Sequence, residues 1–336
     1  MSAHSLTLLG LLALAPTLDA PKAPALPELD RIRIAEAFRL ADALGNRIWP
    51  GWDEAPFAVL LVTPEHEFLV RHPSPSADFT LIGEDVHLKE KVWVRDRQHE
   101  TNLLATFPAV GGVPTIVIGQ AGNTEAKTST RWVITLLHEH FHQLQDSRPG
   151  HYERVDALGL ARGDRTGMWM LNYPFPYTDP EVKGRFSVLC QSLAEALRAR
   201  NQPDFAGKLA SYVEAKRKFQ AILAADDYRY FAFQVWKEGI ARYTEYRLAE
   251  LTATEYEPSR EFRETRDYKP FEEVARGILR GIEKELADVQ LDKSRRSVVY
   301  NFGAAEGLVL DGAGSDWRER YFDGKFTLDQ HFTTGQ

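Results

Sequence analysis

The chain is organised around residues 136–144, which read Leu136-Leu137-His138-Glu139-His140-Phe141-His142-Gln143-Leu144. Apolar residues recur through this stretch at the three- and four-residue steps of an amphipathic helix. A helix advances by about 100° per residue, so His138 and His142 lie one turn apart on the same face. Two imidazole nitrogens on one face can bind one metal ion. The stretch therefore predicts a helix that carries half of a metal site.

Glu139 completes the H-E-x-x-H pattern found in zinc hydrolases. Its position after the first histidine lets the carboxylate reach a water at the metal and act as a general base, without being a ligand. His140 is rotated by about 200° from His138, so we predict that it packs away from the metal. The H-x-x-G-x-x-H extension of the metzincins is missing, because the chain has Gln145 and Arg148 instead.

A catalytic zinc site usually has three protein ligands, so the third must come from a later segment. The best candidate is Glu238, within Trp236-Lys237-Glu238-Gly239-Ile240-Ala241-Arg242-Tyr243-Thr244-Glu245-Tyr246. This segment resembles the second motif of the gluzincins, particularly the W-x-N-E-G-x-A-x-Y-x-E motif of the aminopeptidase N-like family. The resemblance implies that Glu238 is the third zinc ligand. Glu245 lies two turns further along the same face, where it can orient a ligating histidine, and the family pattern implies the same role. Gly239 would let this helix pack closely on the zinc helix.

A third match to the same family is Val299-Tyr300-Asn301-Phe302-Gly303-Ala304. It is similar to the Y-x-K-G-A segment that supplies the catalytic tyrosine, with Phe302 in place of the lysine. A phenol beside the metal would donate a hydrogen bond to the oxyanion of the reaction. Tyr300 is the first candidate and Tyr243 the second, and a tyrosine packed in the core is the alternative for each. The stretch between His142 and Glu238 is much longer than in that family, and no segment resembles its G-A-M-E-N strand.

The expected fold is α+β and zincin-like, with a small β-rich N-terminal lobe, a mainly helical C-terminal lobe and the active-site cleft between them. We assign residues 1–27 to a leader and Pro-rich linker, 28–127 to a helix and β-sheet lobe, and 128–336 to the zinc-binding helical lobe. Periodicity and Gly, Pro or Asp breaks predict the elements. The predicted helices are 28–44, 128–146, 180–200, 204–223, 227–251, 271–289 and 294–310, and the predicted strands are 56–62, 67–71, 79–82, 91–95 and 113–118.

The last predicted strand precedes the zinc helix and contains Pro114 near its start, which favours an edge position. There it would either pair with an extended peptide substrate or merely close a small sheet. Residues 151–180 are predicted to form a loop with an exposed His151. The aromatic residues of that loop either line a cleft or cover the core, and we predict the core; they are Trp169, Tyr173, Phe175 and Tyr177.

The composition is that of a globular protein: the chain has 336 residues, of which 43% are apolar and 26% charged, enough to bury a large core. A net charge of −7 argues against a surface that binds nucleic acid. The single cysteine, Cys190, excludes an intramolecular disulfide and a cysteine-based zinc site. It lies in an apolar helical pattern, so we predict that it is buried.

The N-terminal residues 6–15 form an apolar run that has the length of a signal-peptide core but is too short to span a bilayer. No Lys or Arg precedes the run, and Ala23-Pro24-Ala25 is an imperfect cleavage pattern. Export to the periplasm or the medium and a cytoplasmic location therefore both stay open. No later segment has the length and apolar character of a membrane helix.

Together these features predict a zinc metallopeptidase that acts on peptide or protein substrates. His138, His142 and Glu238 would hold Zn²⁺, and Glu139 would accept a proton from water and pass it to the leaving amine. One alternative is a zincin-fold binding protein without catalysis. Glu139 argues against it, because a purely structural metal site needs no base. A further alternative is a zinc hydrolase of a non-peptide ester, amide or epoxide.

Overall fold

The computed structural model describes residues 24–323 and 325–332 of the chain. A helix and a six-stranded sheet form the N-terminal part, and the remainder is mainly helical. The predicted mixture of α and β structure is therefore confirmed. Residues 1–23, which include the predicted signal-like run, lie outside the described residues. Across the described ranges, no helix combines the length and apolar character required to cross a membrane.

The sheet has the strand order β3-β4-β2-β1-β6-β5. Strands β1 and β6 are parallel, and all other neighbouring strands are antiparallel. The strand bounds are β1 Val59–Val62, β2 His66–Val70, β3 Thr80–Asp85, β4 Glu90–Asp96, β5 Leu104–Val110 and β6 Val113–Gly119. Five of the six strands lie where the sequence predicts them. Strand β5 was not predicted, because Pro108 interrupts a segment that has no regular alternation of apolar residues.

The prediction that residues 113–118 form an edge strand is wrong. Strand β6 lies between β1 and β5, and the edge of the sheet on this side is β5. Pro114 is tolerated inside the sheet because β5 is irregular opposite it, between Phe107 and Val110. The missing N–H of the proline therefore costs no regular ladder hydrogen bond.

The helical part contains one π-helical turn, Val235–Gly239, between two α-helices that the sequence predicts as one. The helix bounds are α1 Glu28–Ile48, α2 Ser129–Asp146, α3 His151–Asp156, α4 Trp169–Asn172, α5 Pro180–Ala199, α6 Phe205–Ile222, α7 Ala225–Gln234, α8 Ile240–Glu255, α9 Arg260–Arg263, α10 Phe271–Ala287, α11 Leu291–Ser294 and α12 Val298–Gly312. The short helices α3 and α4 occupy part of the segment that was predicted as a loop. His151 begins α3 and is buried, so the prediction of an exposed residue was wrong.

One hydrophobic cluster extends from Leu26 to Phe332 and joins one face of the sheet to the helices. A smaller cluster, which includes Leu60 and Val117, covers the other face. The four aromatic residues of the segment after α2 are buried, as predicted, and so is Cys190. Helix α2 packs against β5 and β6 on one side and α8 on the other. The zinc helix of the prediction is therefore the element shared by the sheet and the helical part.

Gly239 makes the closest helix contact in this region, but not with α2. A Cβ on Gly239 would lie 2.6 Å from Gly303 Cα and 2.7 Å from Val299 O, both of them in α12. The small residue therefore brings the π-helical turn against α12, and the prediction that it packs on the zinc helix is corrected. This contact fixes the position of the residue that precedes the glycine, Glu238.

Candidate metal centre

The two histidines of the motif direct nitrogens at one point between them. His138 Nε2 and His142 Nε2 are 3.2 Å apart. The other ring nitrogens are occupied, because His138 Nδ1 donates to Glu245 Oε1 at 2.8 Å and His142 Nδ1 donates to Gln145 Oε1 at 2.6 Å. These bonds fix the tautomer that leaves each Nε2 free to bind a metal. The sequence predicts that Glu245 orients one of the two histidines, and the structure places it at His138.

Glu238 completes a triangle with the two histidines. Its Oε2 lies 3.4 Å from His142 Nε2 and 3.8 Å from His138 Nε2. In a tetrahedral zinc site with Zn–N distances of about 2.0–2.1 Å, neighbouring ligand atoms are roughly 3.3 Å apart. The donor set of two imidazoles and one carboxylate, and its spacing, fit such an ion. The π-helical turn carries Glu238, and such turns are rare and frequently lie at functional sites.

The charges around the triangle keep the carboxylate ionised. Burial alone would raise the pKa of Glu238, but His142, His138 and Arg296 hold it well below its usual value. Burial alone would lower the pKa of His138, but Glu238 and Glu245 raise it to about 9. A metal ion at this point would therefore replace a proton on His138, as is usual for imidazole ligands.

Glu139 is the second carboxylate near the histidines. The ligand atoms of His138, Glu139 and His142 all lie within 4.8 Å of one another and are buried, so this group could hold a metal ion. Glu238 approaches both histidine nitrogens more closely, within 3.8 Å, and we therefore prefer it as the third ligand. Glu139 Oε2 accepts a hydrogen bond from Thr106 on β5, at 2.8 Å. The hydroxyl of Thr106 holds the carboxylate beside the metal position.

The two candidate tyrosines lie in different places. The ring of Tyr300 is nearly parallel to that of His138, with 6.2 Å between centroids, and its hydroxyl accepts from Arg296 Nη2 at 3.1 Å. Burial, followed by the charge of Glu238, raises the pKa of Tyr300, so the phenol keeps its proton. Tyr243 is fully buried, and its hydroxyl donates to Asp311 at 2.7 Å. The structure thus brings Tyr300 to the histidines and gives Tyr243 a different partner.

Three arginines beside the centre were not predicted from the sequence. Arg242 Nη1 lies 2.7 Å from Glu245 Oε2, and Arg131 Nη1 lies 3.5 Å from the same oxygen. Burial would raise the pKa of Glu245, but Arg242, His138 and Arg131 lower it to about 2. Arg296 lies 3.6 Å from Glu238 Oε1 on the other side. No spacing in the sequence marks these arginines, because they come from three separate helices or turns.

A polar network fastens the π-helical turn to the C-terminal end of α2. Lys237 Nζ lies 3.0 Å from Asp146 Oδ1, and His151 Nε2 lies 3.2 Å from the same oxygen. Gln145 Nε2 donates to the backbone oxygen of Lys237 at 3.2 Å and to the Tyr321 hydroxyl at 2.7 Å. Lys237 stands where the aminopeptidase motif has Asn, and here it connects the π-helical turn to α2. Gln145, which stands where the metzincin motif has glycine, orients His142.

His140 is packed away from the metal position, as the sequence predicts. Its ring stacks on Phe57, with 3.6 Å between centroids and an angle of 4° between planes. Burial lowers the pKa of His140 to about 3, so the imidazole is neutral. Helix α2 therefore presents His138 and His142 on one face and the packed ring of His140 on another.

Comparison of the chain with protein-family models, curated proteins and solved structures finds no match. The chemistry of this chain is therefore indicated by the residues of the centre themselves. These are two oriented histidines, two nearby glutamates and one tyrosine in a buried site.

Proposed function

We propose that this chain is a zinc-dependent metallopeptidase with a zincin-like arrangement of sheet and helices. His138, His142 and Glu238 hold the zinc ion. The observation that carries this proposal is the triangle of donor atoms, with sides of 3.2, 3.4 and 3.8 Å. The three residues belong to two elements far apart in the sequence, and both histidines are oriented by side chains on their outer nitrogens.

Zinc, when bound, polarises a substrate carbonyl and lowers the pKa of water. Glu139 accepts the proton of the attacking water and delivers it to the nitrogen of the leaving amine. Thr106 occupies one carboxylate oxygen of Glu139, which leaves the second oxygen for this proton transfer. A site that only binds metal has no use for a base in this position.

Tyr300 donates a hydrogen bond to the oxyanion that forms when water adds to the carbonyl carbon. Its raised pKa keeps the proton on the phenol at neutral pH. Arg296 donates to the phenol oxygen, so the phenol hydrogen is left to donate. Without substrate its acceptor is Glu238, and it turns to the oxyanion as that charge develops. A hydrogen bond that strengthens as the oxyanion develops lowers the barrier.

The edge strand β5 gives the substrate a place to lie. Thr106 of β5 contacts Glu139, so a peptide paired with the outer edge of β5 would pass beside the general base. Strand addition uses the backbone of the peptide and is common in peptide recognition. The sequence left this role open for residues 113–118, but β6 lies inside the sheet between β1 and β5.

The test combines zinc content with cleavage of a peptide library. We expect about one zinc per chain in the parent and in Glu139→Gln, with cleavage reduced about 10²–10⁴-fold in the variant. Glu238→Gln should lose zinc affinity, whereas Glu261→Gln, an exposed glutamate of α9, should behave like the parent. A parent that binds no zinc would refute the proposal. Loss of zinc in Glu139→Gln but not in Glu238→Gln would make Glu139 the ligand.

A further inference from the structure

A cavity of about 410 Å³ lies on the packed side of α2, where His140 forms part of its wall. None of the proposed zinc ligands lines it. The rest of the wall comes from α1, from the segment before β1, from Arg71 and His72 directly after β2, and from Glu90 at the start of β4. The side chains that matter for the argument are Asp42, Trp52, Asp53, Phe57, Arg71 and His140.

Arg71 is held in one orientation on the cavity wall. Its Nε donates to Glu90 Oε1 at 2.8 Å, and its guanidinium lies over the Phe38 ring with 3.7 Å to the centroid. Its two terminal nitrogens have no hydrogen-bond partner among the described residues. The backbone φ of 55° is unfavourable for a residue with a side chain, and such strain often marks functional positions. The result is a preorganised fork that matches a carboxylate.

His140 offers a fixed acceptor on another part of the wall. Its ring lies between Phe57 and Trp52, whose centroids are 3.6 and 5.4 Å away, and the residue is only 3% exposed. Nδ1 donates to Gln143 Oε1 at 2.9 Å, so Nε2 carries a lone pair. That nitrogen has no partner within the part of the chain that the structure describes. It can accept a hydrogen bond from an N–H group of a ligand.

Asp42 and Asp53 add negative charge to the same cavity. Both residues are exposed, and neither carboxylate has a hydrogen-bond or ion-pair partner among residues 24–323 and 325–332. An ammonium group would satisfy these carboxylates, because it donates up to three hydrogen bonds and carries the opposite charge. The aromatic rings of Trp52 and Phe57 provide apolar surface for a hydrocarbon side chain.

We propose that this cavity binds a small zwitterion, a free α-amino acid or dipeptide with an apolar side chain. The carboxylate of the ligand pairs with Arg71, and its ammonium group is held by Asp42, Asp53 and His140. This assignment uses no property of the metal centre, so its test is independent of the proposed peptidase activity.

Calorimetric titration of the full chain with three related probes tests both charges at once. L-Leucine carries both charges, L-leucinamide only the positive one and N-acetyl-L-leucine only the negative one. We expect leucine to bind at least about tenfold more tightly than either derivative, because each loses a charge-assisted contact. Equal binding of either derivative, or no binding of leucine up to about 20 mM, would overturn the proposal.

Variants then locate the site. Arg71→Gln should weaken leucine binding about 10- to 100-fold. Asp53→Asn, at an exposed position, should also weaken leucine binding. The control is Arg276→Gln, which removes an exposed guanidinium of α10 far from the cavity wall. Treatment with a chelator should leave binding unchanged. Binding that survives both cavity substitutions, or that disappears with the chelator, would place the ligand elsewhere and refute the assignment.

Discussion

Substitution of Gly239 by alanine should destabilise the protein and weaken metal binding together. The added Cβ would lie 2.6 Å from Gly303 Cα and 2.7 Å from Val299 O. Both contacts are with backbone, so no side-chain rotation relieves them. Ordinary carbon contacts are about 3.5–4.0 Å, so the π-helical turn and α12 must separate by roughly 1 Å.

The expected magnitude follows from two opposing effects. Alanine in place of glycine favours a helix by about 0.8–1.0 kcal/mol. Overpacking of a close contact costs about 1–3 kcal/mol, and a backbone clash of this kind belongs at the upper end. The net loss in free energy of unfolding is therefore about 2 kcal/mol. Because Glu238 precedes the glycine, its shift should also lower zinc affinity, by about 10- to 100-fold.

Urea unfolding in the presence of a chelator measures the stability effect without the contribution of bound metal. Zinc affinity is then measured separately by competition with a chelator. Gly303→Ala should give a similar loss, because its Cβ would lie 2.6 Å from Gly239 Cα. The matched control is Gly281→Ala in α10, where an added Cβ meets no atom within 4 Å. This substitution should raise the free energy of unfolding by about 0.5–1 kcal/mol. If Gly239→Ala were as stable as the parent while the control behaved as expected, the close helix contact would be disproved.

Three further substitutions test other parts of the fold and the centre. Lys216→Met should lower the free energy of unfolding in urea by about 3–5 kcal/mol, because the buried Glu306 carboxylate, 2.6 Å from the Lys216 ammonium, loses its counter-charge. The control Lys208→Met removes an exposed ion pair and should change this free energy little. Equal losses in the two variants would contradict the prediction. Burial alone would raise the pKa of Glu67, but hydrogen bonds from two backbone N–H groups and from an arginine lower it. Glu67 therefore stabilises the protein above its unfolded pKa of about 4.3, and this contribution is lost as pH falls through the lowered folded value. The stability gap between parent and Glu67→Gln should accordingly shrink from pH 7 to pH 3, and a constant gap would count against it. Arg296→Gln should reduce kcat of the proposed peptidase about tenfold or more with a smaller change in KM, and an effect confined to KM would show that this arginine only binds substrate.

Local periodicity predicted most of the fold because most elements have one clearly apolar face. The long helices and five strands appear within a few residues of their predicted bounds. Strand β5 was missed because Pro108 and half-exposed side chains hide its pattern. The position of β6 inside the sheet was also missed, because strand order depends on contacts between distant segments. A pattern of residues within one strand carries no information about its neighbours.

The π-helical turn is a second feature that local periodicity does not predict. The segment 227–251 has an apolar pattern that predicts one continuous helix, yet the structure widens it at Val235–Gly239. The contacts of this turn are nonlocal: Gly239 meets Gly303 in α12, and Lys237 pairs with Asp146 in α2. These partners follow or precede the turn by many residues, so helical periodicity could not reveal them.

The residues of the candidate centre also differ in how far the sequence predicts them. His138 and His142 followed from a spacing within one helix, whereas Glu238 and Glu245 required the resemblance of a second segment to a known motif. The sequence ranked Tyr300 ahead of Tyr243 by the same resemblance. The structure adds that the Tyr300 ring lies beside His138, whereas the Tyr243 hydroxyl donates to Asp311.

The contacts that hold the centre together explain why its two halves can lie so far apart in sequence. Gln145 orients His142 with its side-chain oxygen and donates to the backbone of Lys237 with its nitrogen. Lys237 in turn pairs with Asp146, so the last turn of α2 fixes the turn that carries Glu238. A displacement of Glu238 relative to the histidines must break these contacts as well as the glycine contact with α12. The long stretch of chain between His142 and Glu238 therefore does not loosen the spacing of these side chains, because contacts at the two ends of that stretch set it.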